Sequence, residues 1–141
     1  MKNLIPLLEQ QKQQLDDLIV LLESELHLIS TRDAETLTSV INEKSDLLEK
    51  IANLDKTIEA TYNAEESALE DTNVNDLFDQ INHSLAQCKF RTEINQKAVE
   101  QGQLRLEHLR TLLLEARTKE TMTYDKSGKP KGGLSGKGVS A

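Results

Sequence analysis

Between Val74 and about Glu120 a helical stripe recurs at alternating steps of three and four. Its positions are Phe78, Ile81, Leu85, Cys88, Thr92, Asn95, Val99, Gly102, Leu106, Leu109, Leu113 and Ala116. The spacing predicts one helix over about residues 74–120, roughly 65–70 Å long at 1.5 Å per residue. The stripe is apolar at both ends and polar in the middle, at Thr92, Asn95 and Gly102. Leucine is densest from Leu104 to Leu114, where Leu104, Leu106, Leu109, Leu112, Leu113 and Leu114 spread wider than one narrow seam. A helix apolar beyond its packing stripe sits deep in a core or awaits a partner.

Two more helices precede it. Leu8, Leu15, Leu18, Leu22 and Ile29 share a 3/4 stripe widened by Ile19 and Leu26, which predicts a helix over about 4–29. Pro6 is tolerable in its first turn. Gln10, Gln11, Gln13 and Gln14 interrupt the stripe, so loose packing is expected over the first turns. Leu37, Val40, Lys44, Leu47, Ile51, Leu54 and Ile58 form a heptad for a second helix over about 34–62. Lys44 is a charge in that seam, expected to snorkel to solvent or to meet an acid from the first helix. The break between the two is Ser30-Thr31-Arg32-Asp33, with Asp33 as cap and Glu35 in the first turn. So short a connection favours antiparallel neighbours; a near-continuous helix kinked at this point is the alternative.

Residues 64–75 are polar and acidic and read as a loop or frayed helix, with Thr72-Asn73 as a further cap candidate. From Met122 on the periodicity ends, and five of the chain's six Gly fall in this final stretch. The expected domains are therefore one helical domain at 1–121 and a flexible Gly/Lys-rich tail at 122–141. Aromatic residues make up only 3%, with no Trp, which removes the usual material of strands. The expected fold is all-α: an elongated antiparallel hairpin or bundle of three long helices with coiled-coil-like seams and a disordered C-terminal tail.

Charge narrows the partners. Residues 1–121 hold 13 Lys+Arg against 23 Asp+Glu, a net of −10, whereas 122–141 carry a net of +3. An acidic body repels phosphate backbones and anionic lipid, so neither nucleic acid nor membrane insertion is expected. The single cysteine, Cys88, lies on the stripe of the third helix and reads as a small core hydrophobe in a reducing compartment. No leader-like segment opens the sequence, and a cytoplasmic location is expected. His27, His83 and His108 have no second His or Cys at helical spacing. No metal, cofactor or catalytic constellation follows from them, and no enzyme is expected.

Taken in order, Glu25, Leu28, Ile29, Arg32, Asp33, Leu37, Lys44, Leu47, Leu48 and Ile51 resemble the first half of the FlgN-type flagellar export chaperones. Asn95, Val99, Leu106, Leu109, Leu112 and Leu113, followed by Thr123, Tyr124, Asp125 and Gly128, resemble the second half. The chain departs from the family where paired Asn three apart are followed by Gly; here Thr92 and Asn95-Gln96 stand instead.

The resemblance implies a cytoplasmic chaperone that holds the C-terminal helical region of hook-associated proteins, the hook–filament junction components. It would prevent their premature assembly and deliver them to the flagellar export gate. On this basis Val99, Leu106, Leu109, Leu112 and Leu113 are the expected client-binding residues, and Tyr124 the gate-docking residue. The free protein is expected to be a monomer or weak homodimer. The alternatives are a structural homodimeric coiled coil closed by Leu104–Leu114, and a surface-lipid binder. The latter requires a basic face opposite the leucines, to which Arg105, Arg110 and Arg117 contribute.

Overall fold

The computed structural model describes residues 4–65 and 68–125, with side chains at all of these except 69 and 121–125. Its elements are α1 (Leu4–Thr31), α2 (Ala34–Ala64), a short 3-10 turn (Ala68–Glu70) and α3 (Thr72–Asp125). There is no strand among the described residues, so the chain is all-α as its composition predicts. The chain divides into two compact units, Met1–Val99 and Glu100–Ala141, the division falling within α3.

The first unit packs α2 and the first part of α3 against α1. The buried row of α1 is Leu4, Leu8, Gln11, Leu15, Leu18, Leu22 and Glu25, an unbroken 4/3 repeat. Gln11 and Glu25 therefore belong to the row rather than interrupting it. The expected looseness of the first turns is not found, since Leu4 and Leu8 are completely buried. They pack with Ile58, Ala68 and Val74, flanked by Leu54, Tyr62, Leu77, Phe78 and Ile81. The end of α2 and the start of α3 thus close over the start of α1. Tyr62 and Phe78 meet edge to face there, with ring centroids 5.6 Å apart. A second cluster joins Leu15, Leu18, Leu22 and Cys88, with Ile19, Leu47, Ile51 and Ile81 at its edge. At about 2 kcal/mol per buried leucine, the five leucines of α1 contribute on the order of 10 kcal/mol as an upper bound.

The early residues of α1 pack against late residues of α2, and Glu25 near the end of α1 meets Lys44 in the first half of α2. The two helices are antiparallel, and the alternative of a kinked continuous helix is excluded. The reversal is made by two residues. Arg32 has φ 59°, the left-handed conformation usual at the residue after a helix end. The amide of Asp33 then reaches back to the Leu28 carbonyl at 3.2 Å, the long closing bond of a Schellman motif. Asp33 also opens α2: its side chain accepts from the Thr36 amide at 3.2 Å and from the Thr36 hydroxyl at 2.9 Å.

The second reversal differs in detail from expectation. A 3-10 turn occupies Ala68–Glu70, and Asp71 rather than Thr72 or Asn73 caps α3 by accepting from the Asn73 amide at 2.8 Å. At the other end α3 continues through Asp125, beyond the end expected near residue 120. The rest of the expected tail, residues 126–141, lies outside the described residues.

The hairpin turn supports a paired test. Asp33→Ala removes the cap and is expected to cost about 1 kcal/mol. Arg32→Gly relieves a left-handed side-chain-bearing residue and is expected to stabilise by up to about 1 kcal/mol. Urea unfolding followed by far-UV circular dichroism measures both, and opposite signs are the expected result.

Candidate functional site

The face that α3 presents to α1 is polar; of the expected stripe it keeps Cys88 and Asn95 and leaves Leu85, Thr92 and Val99 outside. Ser84, Cys88 and Asn95 are buried, whereas Leu85 and Val99 are exposed at 40% and 42%. Each of the three donates to α1. The Ser84 hydroxyl donates to Asp16 Oδ1 at 3.0 Å, and the Cys88 thiol points to the Leu15 carbonyl at 3.5 Å. Asn95 Nδ2 donates to the Leu22 carbonyl at 3.0 Å and to Glu25 Oε1 at 2.7 Å. Arg91 pairs with Glu23 at 3.1 Å near the surface, where such a pair adds little. These contacts advance together along both helices, so α3 runs parallel to α1 over this stretch.

Glu25 is the centre of the arrangement. Its carboxylate is buried, yet one oxygen accepts from Asn95 on α3 and the other from Lys44 Nζ on α2 at 2.6 Å. Lys44 in the α2 seam thus meets an acid of α1, as its sequence position suggested. Its side chain keeps 25% exposure, so the ammonium stays partly hydrated while its stem packs. The amide of Asn95 has to face this way round, because its oxygen turned toward Glu25 would meet a carboxylate.

Two side chains on this α1–α3 face have shifted acidities. The Lys12 ammonium, bonded to Asp16 at 2.8 Å, holds that carboxyl below the usual carboxylate range, with Ser84 assisting. Its small contribution to stability is present at neutral pH and is lost as pH falls through that lowered value. Burial pushes the Cys88 thiol up, and the Asp16 charge adds to it. The thiol therefore stays protonated and unreactive, in keeping with a core role.

The second unit has a different surface. Along α3 beyond Val99 the leucines are open: Leu104 64%, Leu106 54%, Leu109 51%, Leu112 47% and Leu113 62% exposed. Leu114 is half-buried. Leu106, Leu109, Leu112 and Leu113 are among the expected client-binding residues, and Leu106, Leu109 and Leu113 fall on consecutive positions of one seam. A Cβ added at Gly102 would meet nothing within 4 Å, so the backbone there is not held close by another part of this chain. Val99 belongs to the first unit and stands by itself. Tyr124 lies in the last turn of α3, and its side chain is outside the described residues. Among the described residues no group of three His, Cys, Asp or Glu could hold a metal ion, and no helix is long and apolar enough to cross a membrane.

Residues 1–132 match the family described as FlgN protein. The chain belongs to the FlgN family. Flagellar export chaperones make up this family, and that is the general function of the chain. No curated protein and no solved structure matches it.

The polar lock was only half visible beforehand: Lys44 stood out as a charge among leucines, but nothing marked Glu25 and Asn95 as its companions. Removing Glu25 tests the arrangement. Glu25→Ala leaves Lys44 and Asn95 without their shared acceptor and is expected to cost about 2–3 kcal/mol, below the cost of breaking a wholly buried pair because Lys44 reaches water. Lys44→Ala is expected to cost less than Glu25→Ala. Equal and negligible effects in thermal unfolding would show the contact to be incidental.

Proposed function

We propose that this FlgN-family chaperone is cytoplasmic and captures the C-terminal helical region of hook-associated proteins on the seam of Leu106, Leu109, Leu112 and Leu113. Val99 is proposed as a secondary contact. Occupation of the client's helices keeps them from assembling early, and the loaded chaperone delivers them to the flagellar export gate. Neither step involves bond chemistry, so the proposed activity is binding and release.

The single observation carrying this proposal is the exposure of those leucines. A leucine left half in water forfeits on the order of 1 kcal/mol of the transfer energy its burial supplies. Four in one short helical segment make a surface that association with another apolar helix stabilises. The same observation, without the family, would suit a homodimeric coiled coil. Membership of a chaperone family is what favours a client over a second copy.

Changing Leu106, Leu109 and Leu113 together to Gln should weaken capture of a hook-associated C-terminal segment by at least about a hundredfold. Helicity measured by circular dichroism should remain close to that of the parent. Unfolding of the triple variant would instead assign the leucines to the core and place the client site elsewhere.

Tyr124 is proposed as the docking residue for the export gate, by resemblance to the family tyrosine that follows the third helix. An aromatic side chain buries large area with few torsions to fix, which suits a single anchor. Tyr124→Ala should leave client affinity near that of the parent while abolishing gate binding and motility. The pull-down with the gate component is performed with client bound, because the gate is expected to read the loaded chaperone. A loss of client affinity matching that of the leucine variant would assign Tyr124 to the client site and refute the two-site scheme.

A further inference from the structure

The leucine seam has edges, and their charge is uniform. With Leu106 and Leu113 as a positions and Leu109 and Ala116 as d positions of a heptad, the flanking e and g positions can be read directly. The e positions are Gln103, Arg110 and Arg117, and the g positions are Arg105, Leu112 and Lys119. Every charged residue at an e or g position between 102 and 119 is thus a cation. The carboxylates of the same stretch, Glu107 and Glu115, occupy b and c positions away from the seam. Glu120 takes the next a position and ends the apolar row. The arginines therefore border the leucines, rather than standing opposite them as the lipid-binding alternative requires. Arg105 and Arg110 are exposed, in position to meet a partner's flank.

Resting on the client-capture reading above, we propose that the helix occupying this seam carries carboxylates on both sides of its own apolar stripe. The chaperone then selects acidic-flanked amphipathic helices. A second copy of the chain is disfavoured, because parallel pairing sets e against g and antiparallel pairing sets e against e and g against g. In either orientation this chain opposes cations with cations. An anionic bilayer also offers negative charge beside an apolar layer. It fits less well, because a helix lying on lipid needs a polar face rich in Lys and Arg, and this one holds Glu107 and Glu115 on that face.

The test uses the full chain and two synthetic helical peptides with leucine at every a and d position. One peptide has Glu at all e and g positions and the other has Lys. Fluorescence anisotropy should show the Glu-flanked peptide binding at least about tenfold more tightly, a margin that narrows as salt screens the flanks. The double variant Arg105→Glu and Arg110→Glu should reverse the preference toward the Lys-flanked peptide. The comparison of the two peptides on the parent chain stands even if that variant misfolds.

Equal affinities for the two peptides, both lost in the Leu106, Leu109, Leu113 variant, would overturn the charge selection and leave the client seam intact. Binding of neither peptide, with co-sedimentation on phosphatidylglycerol vesicles, would overturn both and assign the seam to lipid. A tight dimer in sedimentation equilibrium, unchanged by the Arg→Glu variant, would overturn the exclusion of self-pairing.

Discussion

The first unit depends on one buried carboxylate having two donors. Glu25 sits in the leucine row of α1 where an unpaired charge would be strongly destabilising, and it is tolerated because Lys44 and Asn95 both reach it. The three residues lie on three different helix segments. A slip of one heptad in α2 or α3 would leave the carboxylate buried with fewer donors. Leucines alone would accept several registers at similar cost; this contact accepts one. The net stabilisation it supplies is small beside the leucine row of α1, so its main effect is on register.

That division explains how so polar an α3 holds its place. Over residues 74–99 its buried face is Val74, Ser84, Cys88 and Asn95, poor in apolar area but each polar member bonded to α1. The apolar material of the chain is spent unevenly. Leucines of α1 are covered, while those at 104–113 of α3 remain in water. For a chaperone this distribution is useful, because a surface meant for a transient partner cannot also be consumed by the protein's own core.

The parts legible in the sequence were those set by local chemistry. Period-3/4 spacing located α1 and α2 to within two residues, Asp33 announced the hairpin, and the surplus of leucines at 104–114 foretold the open seam. What stayed hidden was set by partners distant in sequence. Leu85, Thr92 and Val99 read as one stripe with Cys88 and Asn95. Of these, Cys88 and Asn95 face α1, joined by Ser84 and Arg91, since Asp16, Glu23 and Glu25 supply Ser84, Arg91 and Asn95 with bonds no local pattern reveals. Gln11 read as an interruption, yet it is buried in the α1 row. Arg32 concealed a left-handed turn that Gly would have advertised, and Asp71 took a cap expected one or two residues later.

The central claim is that the leucine seam is open in the free protein and covered by client. Amide hydrogen exchange across α3, with and without a hook-associated C-terminal segment, tests it most directly. A helical segment with little packed against it opens easily, so amides over 102–116 are predicted to exchange quickly in the free chain and to slow markedly with client, while those of α1 change little. Strong protection of 102–116 in the free chain, or client-induced protection confined to α1 and α2, would contradict the account.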